Sequence, residues 1–455
     1  MNDLIIKNGS IISAIGAFRS DIEIRQGKIF RIGQKLEAKD AQVIDAENKL
    51  ILPGVIDGHV HFEELFASGI WNADDFESGT QAAASGGVTT VIDFTSPQQH
   101  SESLVKAFQR RRQQADPKVV VDYALHSCFP GGLTPELLAE MQKMKDLGVP
   151  SFKVFTLGED LGLDQDEIYA IMRQAVKLGV MVNVHAEDGG KIEFLEKQLL
   201  KDGKITMGYF ALSRPNSTEA GMVQKLISIN EQLKGKLYFV HLSSAESVDL
   251  LRSAQSRPGH IFGETCPQYL LLDDQKYGLD NGEQYTIAPP LRAVGNQEQL
   301  WKGIAEGSIQ VVGTDHCPFL KKHKQEKRDF TQVPRGLGGV ELLLPLMYSE
   351  GVVKKNITID QLVQLLSTNP AKIFGMYPQK GTISLKSDAD LLIFNSRKTW
   401  QVSAKQMFSR ADFSPYESLS LTGKVEITIS RGEIIYRDGE ILGRAGRGQF
   451  IQRKL

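Results

Sequence analysis

The sequence predicts an α/β protein, a (β/α)8 barrel with a small β-sandwich formed by both chain ends. Three observations carry that expectation. Eight apolar, strand-like runs alternate with helical stretches through the middle of the chain, the pattern of a parallel sheet. Two β-rich ends of similar style flank this centre. Five of the eight central runs carry a side chain of metal-ligand type at or near their ends, and barrel enzymes place their working groups at strand C-termini. At ~150 residues per domain, the length suggests about three domains, but one α/β barrel absorbs ~250 residues or more. The expected division is 1–52 for the first part of the sandwich, 53–378 for the barrel, and 379–455 for the rest of the sandwich and a tail.

In chain order, Leu4, Ile5 and Ile6 precede the turn signal Asn8-Gly9. Ile22 and Ile24 alternate with Asp21, Glu23 and Arg25, Gly27 interrupts, and Ile29 and Ile32 begin a second run, which reads as a hairpin. The eight central runs are Val55 to His61, Thr89 to Phe94, Val119 to Leu125, Pro150 to Phe155, Val180 to His185, Leu237 to His241, His260 to Thr265 and Ile309 to Asp315. Helical stretches between them include 137–147 and 167–178, the latter with Ile168, Ile171, Ala175 and Leu178 on one face. A charge run from Lys321 to Asp329 follows the eighth strand and reads as a solvated loop or as a lid over the barrel mouth. At the far end, Leu391 to Ile393 form a short strand. Val425, Ile427 and Ile429 alternate, Arg431-Gly432 turns, and Ile434 to Tyr436 return.

Composition removes several function classes. Lys+Arg total 53 against 55 Asp+Glu, a formal net charge of −2, so there is no nucleic-acid footprint and no polybasic membrane patch. The three cysteines, Cys128, Cys266 and Cys317, form no disulfide framework and favour a reducing compartment. The opening MNDLIIKNGS lacks a basic region and a long apolar stretch, and no run approaches the ~20 residues of a membrane span. A cytoplasmic protein is expected. There is no phosphate-cradling glycine loop.

The first central run ends Asp57-Gly58-His59-Val60-His61, and residues two apart on a strand face the same side. His59 and His61 are therefore expected to share one metal. Lys153 lies in the fourth run, His185 ends the fifth, His241 the sixth and Asp315 the eighth. Singly, each reads equally as a cap or a core residue. Together, three or more imidazoles with a carboxylate suit zinc or another borderline divalent metal. An ammonium beside such cations is repelled, so Lys153 is deprotonated, converted to an anionic carbamate, or not a ligand. Asp93, Asn183 and Glu187 are candidates to orient these groups. His316 orients a ligand or caps a strand, and Cys317 reads as packing. His100, His126, His260 and His323 match no motif and are expected to be structural or exposed.

These motifs, with Ser151-Phe152-Lys153-Val154-Phe155, Val184-His185-Ala186-Glu187, Val240-His241-Leu242-Ser243 and Gly313-Thr314-Asp315-His316-Cys317-Pro318-Phe319, resemble the cyclic amidohydrolases. The likeness is greatest to the dihydropyrimidinase/hydantoinase branch, related to allantoinase and dihydroorotase. Glu264 to Leu270, Ser367 to Lys372, Lys380 to Ile383 and Gly448-Gln449-Phe450 also resemble that branch, so the likeness spans nearly the whole chain. It implies two divalent metals, zinc with manganese as the alternative. His59, His61 and Asp315 would bind one, His185 and His241 the other, and a carboxylated Lys153 would bridge them. It further implies a metal-bridging hydroxide as nucleophile, Asp315 as proton shuttle, ring opening of a dihydropyrimidine or hydantoin to an N-carbamoyl amino acid, and a homotetramer or homodimer.

Departures from the branch concern the substrate. Its members carry a Tyr oxyanion donor five positions after the lysine. Here Thr156-Leu157-Gly158-Glu159 places Gly158 there, and losing such a donor removes several kcal/mol of transition-state stabilisation unless another group replaces it. Dihydroorotases carry an Arg where Glu63 stands, so a carboxylate-bearing dihydroorotate is disfavoured. Ala288 replaces the branch's Ser and Arg335 its Asn, both at substrate-contact positions. Allantoinases also lack the Tyr, which leaves a ureide ring as the alternative substrate. A catalytically silent scaffold relative is the non-enzyme alternative, against which stand six filled ligand positions.

Overall fold

A computed structural model describes residues 3–38, 41–66, 69–99, 102–158, 162–257, 259–325, 327 and 329–455. His100, Glu159, Glu326 and Arg328 lie outside the described residues. The eight barrel strands are β1 (Val55–Asp57), β2 (Val88–Phe94), β3 (Asp122–Cys128), β4 (Ser151–Phe155), β5 (Met181–His185), β6 (Lys236–Phe239), β7 (His260–Thr265) and β8 (Val311–Val312). They form one sheet in sequential order, with every neighbouring pair parallel. Residues just beyond the first and last strands complete the ring. Val60 bridges His316 in parallel, and His61 N donates to His316 O at 2.8 Å. The α/β barrel expected from the run pattern is the fold observed.

The helices form where capping and periodicity agree. In Gln165–Leu178, Asp164 accepts from Glu167 N, the Glu167 carboxylate answers at Asp164 N, and Gly179 stops the helix at φ 67°. Ile168, Ile171, Met172 and Ala175 form its buried face. The other predicted helix is Pro135–Asp146, with proline in its first turn.

Four strands differ from the sequence reading by two residues or more. The expected run from Val119 begins its barrel pairing only at Asp122, because the C-terminal tail claims the preceding backbone: Gly448 N donates to Val119 O at 3.0 Å and Arg447 Nη1 to Val120 O at 2.8 Å. The ladders of β1, β6 and β8 stop at Asp57, Phe239 and Val312, short of His61, His241 and Asp315. His241 and Asp315 take left-handed backbone, φ 38° and 52°, which cannot continue a strand. His61, His241 and Asp315 thus sit on the segments that follow the strands, whereas Lys153 and His185 lie within β4 and β5.

Both chain ends build the second unit. A four-stranded sheet runs Lys28–Gly33, Asp21–Arg25, Leu4–Lys7, Gln42–Asp45. A seven-stranded sheet joins Leu50–Pro53, from the N-terminal side, antiparallel to Leu391–Gln401, from the C-terminal side. Ile6, Ile22, Ile24, Ile51, Leu391, Ile393 and Ile429 belong to one buried apolar cluster of these two sheets. Where the sandwich meets the barrel, Lys380 Nζ lies 2.6 Å from Asp122, 2.7 Å from Asp390 and 3.0 Å from Asp388, almost wholly buried.

Candidate metal centre

At the C-terminal end of the barrel, His59, His61 and Asp315 bring three ligand atoms within 4.8 Å of one another. His59 Nε2 stands 3.2 Å from Asp315 Oδ1, and His61 Nε2 stands 3.3 Å from the same oxygen. Each ring is held from behind. His59 Nδ1 meets Glu264 Oε1 at 2.7 Å, and His61 Nδ1 meets Glu64 Oε2 at 2.8 Å. A carboxylate on one ring nitrogen fixes the tautomer and aims the other, as ligating histidines require. His59 Nε2 is buried with no hydrogen-bond partner. An orphaned imidazole nitrogen beside a second one and a carboxylate fits a divalent cation in donor set and orientation.

On the opposite side, His185 Nδ1 lies 3.0 Å from His241 Nε2, and the His241 ring stacks 5.4 Å from His59. His185 Nε2 meets Glu187 Oε2 at 2.9 Å, and Arg214 Nη1 donates to that same oxygen at 2.7 Å. Lys153, on β4 beside Asn183 of β5, is 1% exposed, its Nζ 5.3 Å from the Phe94 ring centre and 4.9 Å from that of Phe155. Of the six expected ligands, the structure thus brings five together in two groups, with Lys153 in the same barrel interior.

Charge follows this packing. Burial pushes the Lys153 amine down to about 8, although Asp315 and Glu264 pull the other way. Burial likewise holds His59 and His241 well below the ordinary imidazole value, neutral and able to ligate. At His61 the lowering by burial is outweighed by Glu64 and Asp315, which raise it to about 10, so proton and cation compete for one nitrogen. At Asp315 burial is outweighed by His59 and His61, and the carboxyl lies below its usual range.

Of the groups that support the centre, Glu264 and Asp57 were not singled out from the sequence, whereas Asp93, His316, Asn183 and Glu187 were. Glu264, on β7, accepts from Tyr238 Oη at 2.9 Å and His241 N at 3.2 Å as well as holding His59. Asp57 accepts from Thr314 N at 3.1 Å and Thr314 Oγ1 at 2.5 Å, tying the first strand end to the last. Asp93 Oδ2 accepts from Phe62 N, while Arg111 reaches from Asp93 Oδ1 to the carbonyls of Phe62 and Glu63, clamping the segment after His61. His316 donates through Nε2 to Asp74 at 3.0 Å and accepts Gly339 N on Nδ1, so it pins the barrel seam. Glu187 orients His185 as anticipated, but Asn183 does not: its amide reaches His126 Nδ1 at 3.0 Å instead. His126 is buried against Ser151 and Gly58.

The four expected substrate contacts are scattered around the mouth. The Glu63 carboxylate is taken by Lys118 Nζ at 2.6 and 2.7 Å. Gly158 adopts φ 103° with open space where a side chain would project. Ala288 is half-buried ahead of Pro289. Arg335 Nη2 donates to Glu196 at 3.2 Å. The charge run is not simply a solvated loop: Lys321–Gln325 is helical, and Lys324 is fully buried, its Nζ donating to Thr286 O at 2.9 Å. Among the described residues, no helix is long and apolar enough to cross a membrane.

Comparison with known proteins places this geometry. The model of the amidohydrolase family matches residues 50–435. The chain is 38% identical to the D-hydantoinase of Geobacillus stearothermophilus, over 99% of this chain and 96% of the relative. A solved D-hydantoinase structure superposes with a TM-score of 0.97 at 38% identity, covering 99% of both chains. A dihydropyrimidinase structure from Brevibacillus agri NCHU1002 superposes at 0.96 with 35% identity and the same coverage.

Proposed function

The chain belongs to the amidohydrolase family, and from that premise we infer an enzyme that hydrolyses a cyclic amide C–N bond. The observation that carries the reading is His59 Nε2, buried and unpartnered beside His61 Nε2 and Asp315 Oδ1 at the barrel mouth. The ring opened is a hydantoin or dihydropyrimidine, and the product an N-carbamoyl amino acid. The relatives that match over the full length are named as hydantoinases and a dihydropyrimidinase.

His59, His61 and Asp315 would hold one divalent ion, and His185 and His241 the second, with zinc favoured by the imidazole-rich donor set. Such ions supply Lewis acidity toward the ring carbonyl and lower the pKa of water. The chain's own residues do the rest. Lys153, made less basic by burial, presents an amine that would add carbon dioxide: a C–N bond forms, a proton leaves, and the product would be an anionic carbamate able to serve as a further ligand. Asp315, ionised and held between two imidazoles, is the base that takes a proton from the attacking water and delivers it to the departing ring nitrogen. Glu264, Glu64 and Glu187 hold the imidazoles in place throughout.

The test is ring opening by zinc- or manganese-loaded protein, with bicarbonate present, on dihydrouracil, a 5-substituted hydantoin, allantoin and dihydroorotate. Turnover of dihydrouracil or the hydantoin is expected, lost on chelation and restored by metal. Turnover of allantoin alone would move the substrate to ureides, consistent with the bare Gly158. Full metal occupancy with no ring opened would overturn the reading.

A further inference from the structure

Connected to the metal centre is a cleft of about 540 Å³ whose lining, among the described residues, holds two cations, Lys327 and Arg335, and no carboxylate. Phe66, Val333 and Pro334 supply an apolar wall. Two connections tie this cleft to the centre. Phe66 follows His61 by five positions and packs on Phe319 at 5.1 Å, in the loop after Asp315. Arg335 begins a string of charge contacts that ends on a metal-ligand candidate: Arg335 Nη2 to Glu196 at 3.2 Å, Glu196 to Arg214 Nε at 3.9 Å, Arg214 Nη1 to Glu187 at 2.7 Å, and Glu187 to His185 at 2.9 Å. The string sets two guanidiniums against two carboxylates, so among the described residues Lys327 adds positive charge at the rim. The Arg335 guanidinium lies 5.8 Å from the Phe210 ring centre. Burial lowers it only to about 10, so it is a cation at neutral pH.

We propose that Arg335 and Lys327 make this cleft selective for cyclic amides whose ring substituent ends in a carboxylate. The proposal rests on the ring-hydrolysis reading above and names the substrate class within it. The hydrolysed amide ring enters the centre, and its substituent lies along Phe66, Val333 and Pro334. The terminal carboxylate meets the guanidinium fork, which matches it with two parallel N–H donors and leaves the Glu196 contact in place. The substituent takes no part in the reaction: water adds across the ring acyl C–N bond, the acyl carbon becomes a carboxylate, and the nitrogen leaves protonated. A neutral isostere of the same length gains the apolar contact but offers no charge to Lys327 or to the free donors of the Arg335 guanidinium.

The experiment compares kcat/KM of the zinc-loaded enzyme on 5-(2-carboxyethyl)hydantoin and on its uncharged isostere 5-(2-carbamoylethyl)hydantoin. The carboxylate is expected to win by about tenfold or more, as for a charge-assisted bidentate contact, with the ratio shrinking as salt rises. In Arg335→Asn the ratio collapses, and Arg335→Lys restores part of it. Glu196→Gln releases the fork from its internal partner and raises the ratio, so the proposal stays exposed even if Arg335→Asn folds poorly. Equal kcat/KM for the two substrates in the wild-type enzyme, or a ratio indifferent to Glu196→Gln and to Arg335→Lys, overturns the proposal while leaving ring hydrolysis intact. If neither hydantoin is opened at full metal occupancy, the ring-hydrolysis reading fails and takes the proposal with it.

Discussion

Glu264 carries three contacts at once, to His59, Tyr238 and His241, although it is a single carboxylate inside an apolar strand. Its partner His59 is 205 positions away, and no spacing rule connects them. That separates the legible from the illegible residues here. His59, His61, His185, His241 and Asp315 could be picked out because ligand-type side chains recur at the ends of successive apolar runs. Glu264, Glu64 and Asp57 could not, because their role exists only once distant strands lie side by side. Glu264→Gln is expected to weaken zinc binding by about 10- to 100-fold, the usual effect of removing a ligand's outer partner. Chelator competition measures it, and an unchanged affinity would reduce Glu264 to a packing residue.

The elements were legible in order and kind, less so in their ends. All eight barrel strands follow the apolar patterning, as do Leu4–Lys7, Asp21–Arg25, Lys28–Gly33, Leu391–Gln401, Ser420–Ser430 and Glu433–Arg437 of the chain ends, whereas Ser10–Ser13, Gly16–Arg19, Gln42–Asp45 and Leu50–Pro53 gave no signal that singled them out. The ladders of β6 and β8 stop early because the residues after them turn into left-handed backbone, a tertiary demand that local pattern does not announce. The helix Lys321–Gln325 illustrates the other limit: a run of charge reads as solvated, yet Lys324 is buried. Burial pushes its amine down to about 7, below the ~10.4 of an unfolded lysine. The folded state therefore binds fewer protons than the unfolded state between those values. The part of stability linked to Lys324 is lowest below about pH 7, where both states are protonated, and rises as pH climbs toward 10. Lys324→Met removes that part of the slope, read from denaturant midpoints across pH. A wild-type slope retained in full by the variant would contradict the assignment.

At the scale of the molecule, barrel and sandwich are joined by Lys380, whose ammonium answers Asp122 of the barrel and Asp388 and Asp390 of the sandwich side, with Arg431 adding a contact to Asp122 at 3.0 Å. Lys380→Met leaves these buried carboxylates short of a counter-charge and is expected to cost about 3–5 kcal/mol. Thermal melting of the metal-loaded protein reads the loss, and an unchanged Tm would show that the junction relaxes. The pairing of Leu50–Pro53 with Leu391–Phe394 reaches beyond stability to synthesis. The N-terminal strand leaves the ribosome long before its partner exists. Leu391, which pairs with Pro53, follows it by 338 positions, a delay of roughly 17 to 70 s at ordinary elongation rates. For that interval the nascent chain carries an open sheet edge and an uncovered isoleucine face. Its yield in a cell is then governed by how well that edge is shielded during translation, as much as by the depth of the finished fold.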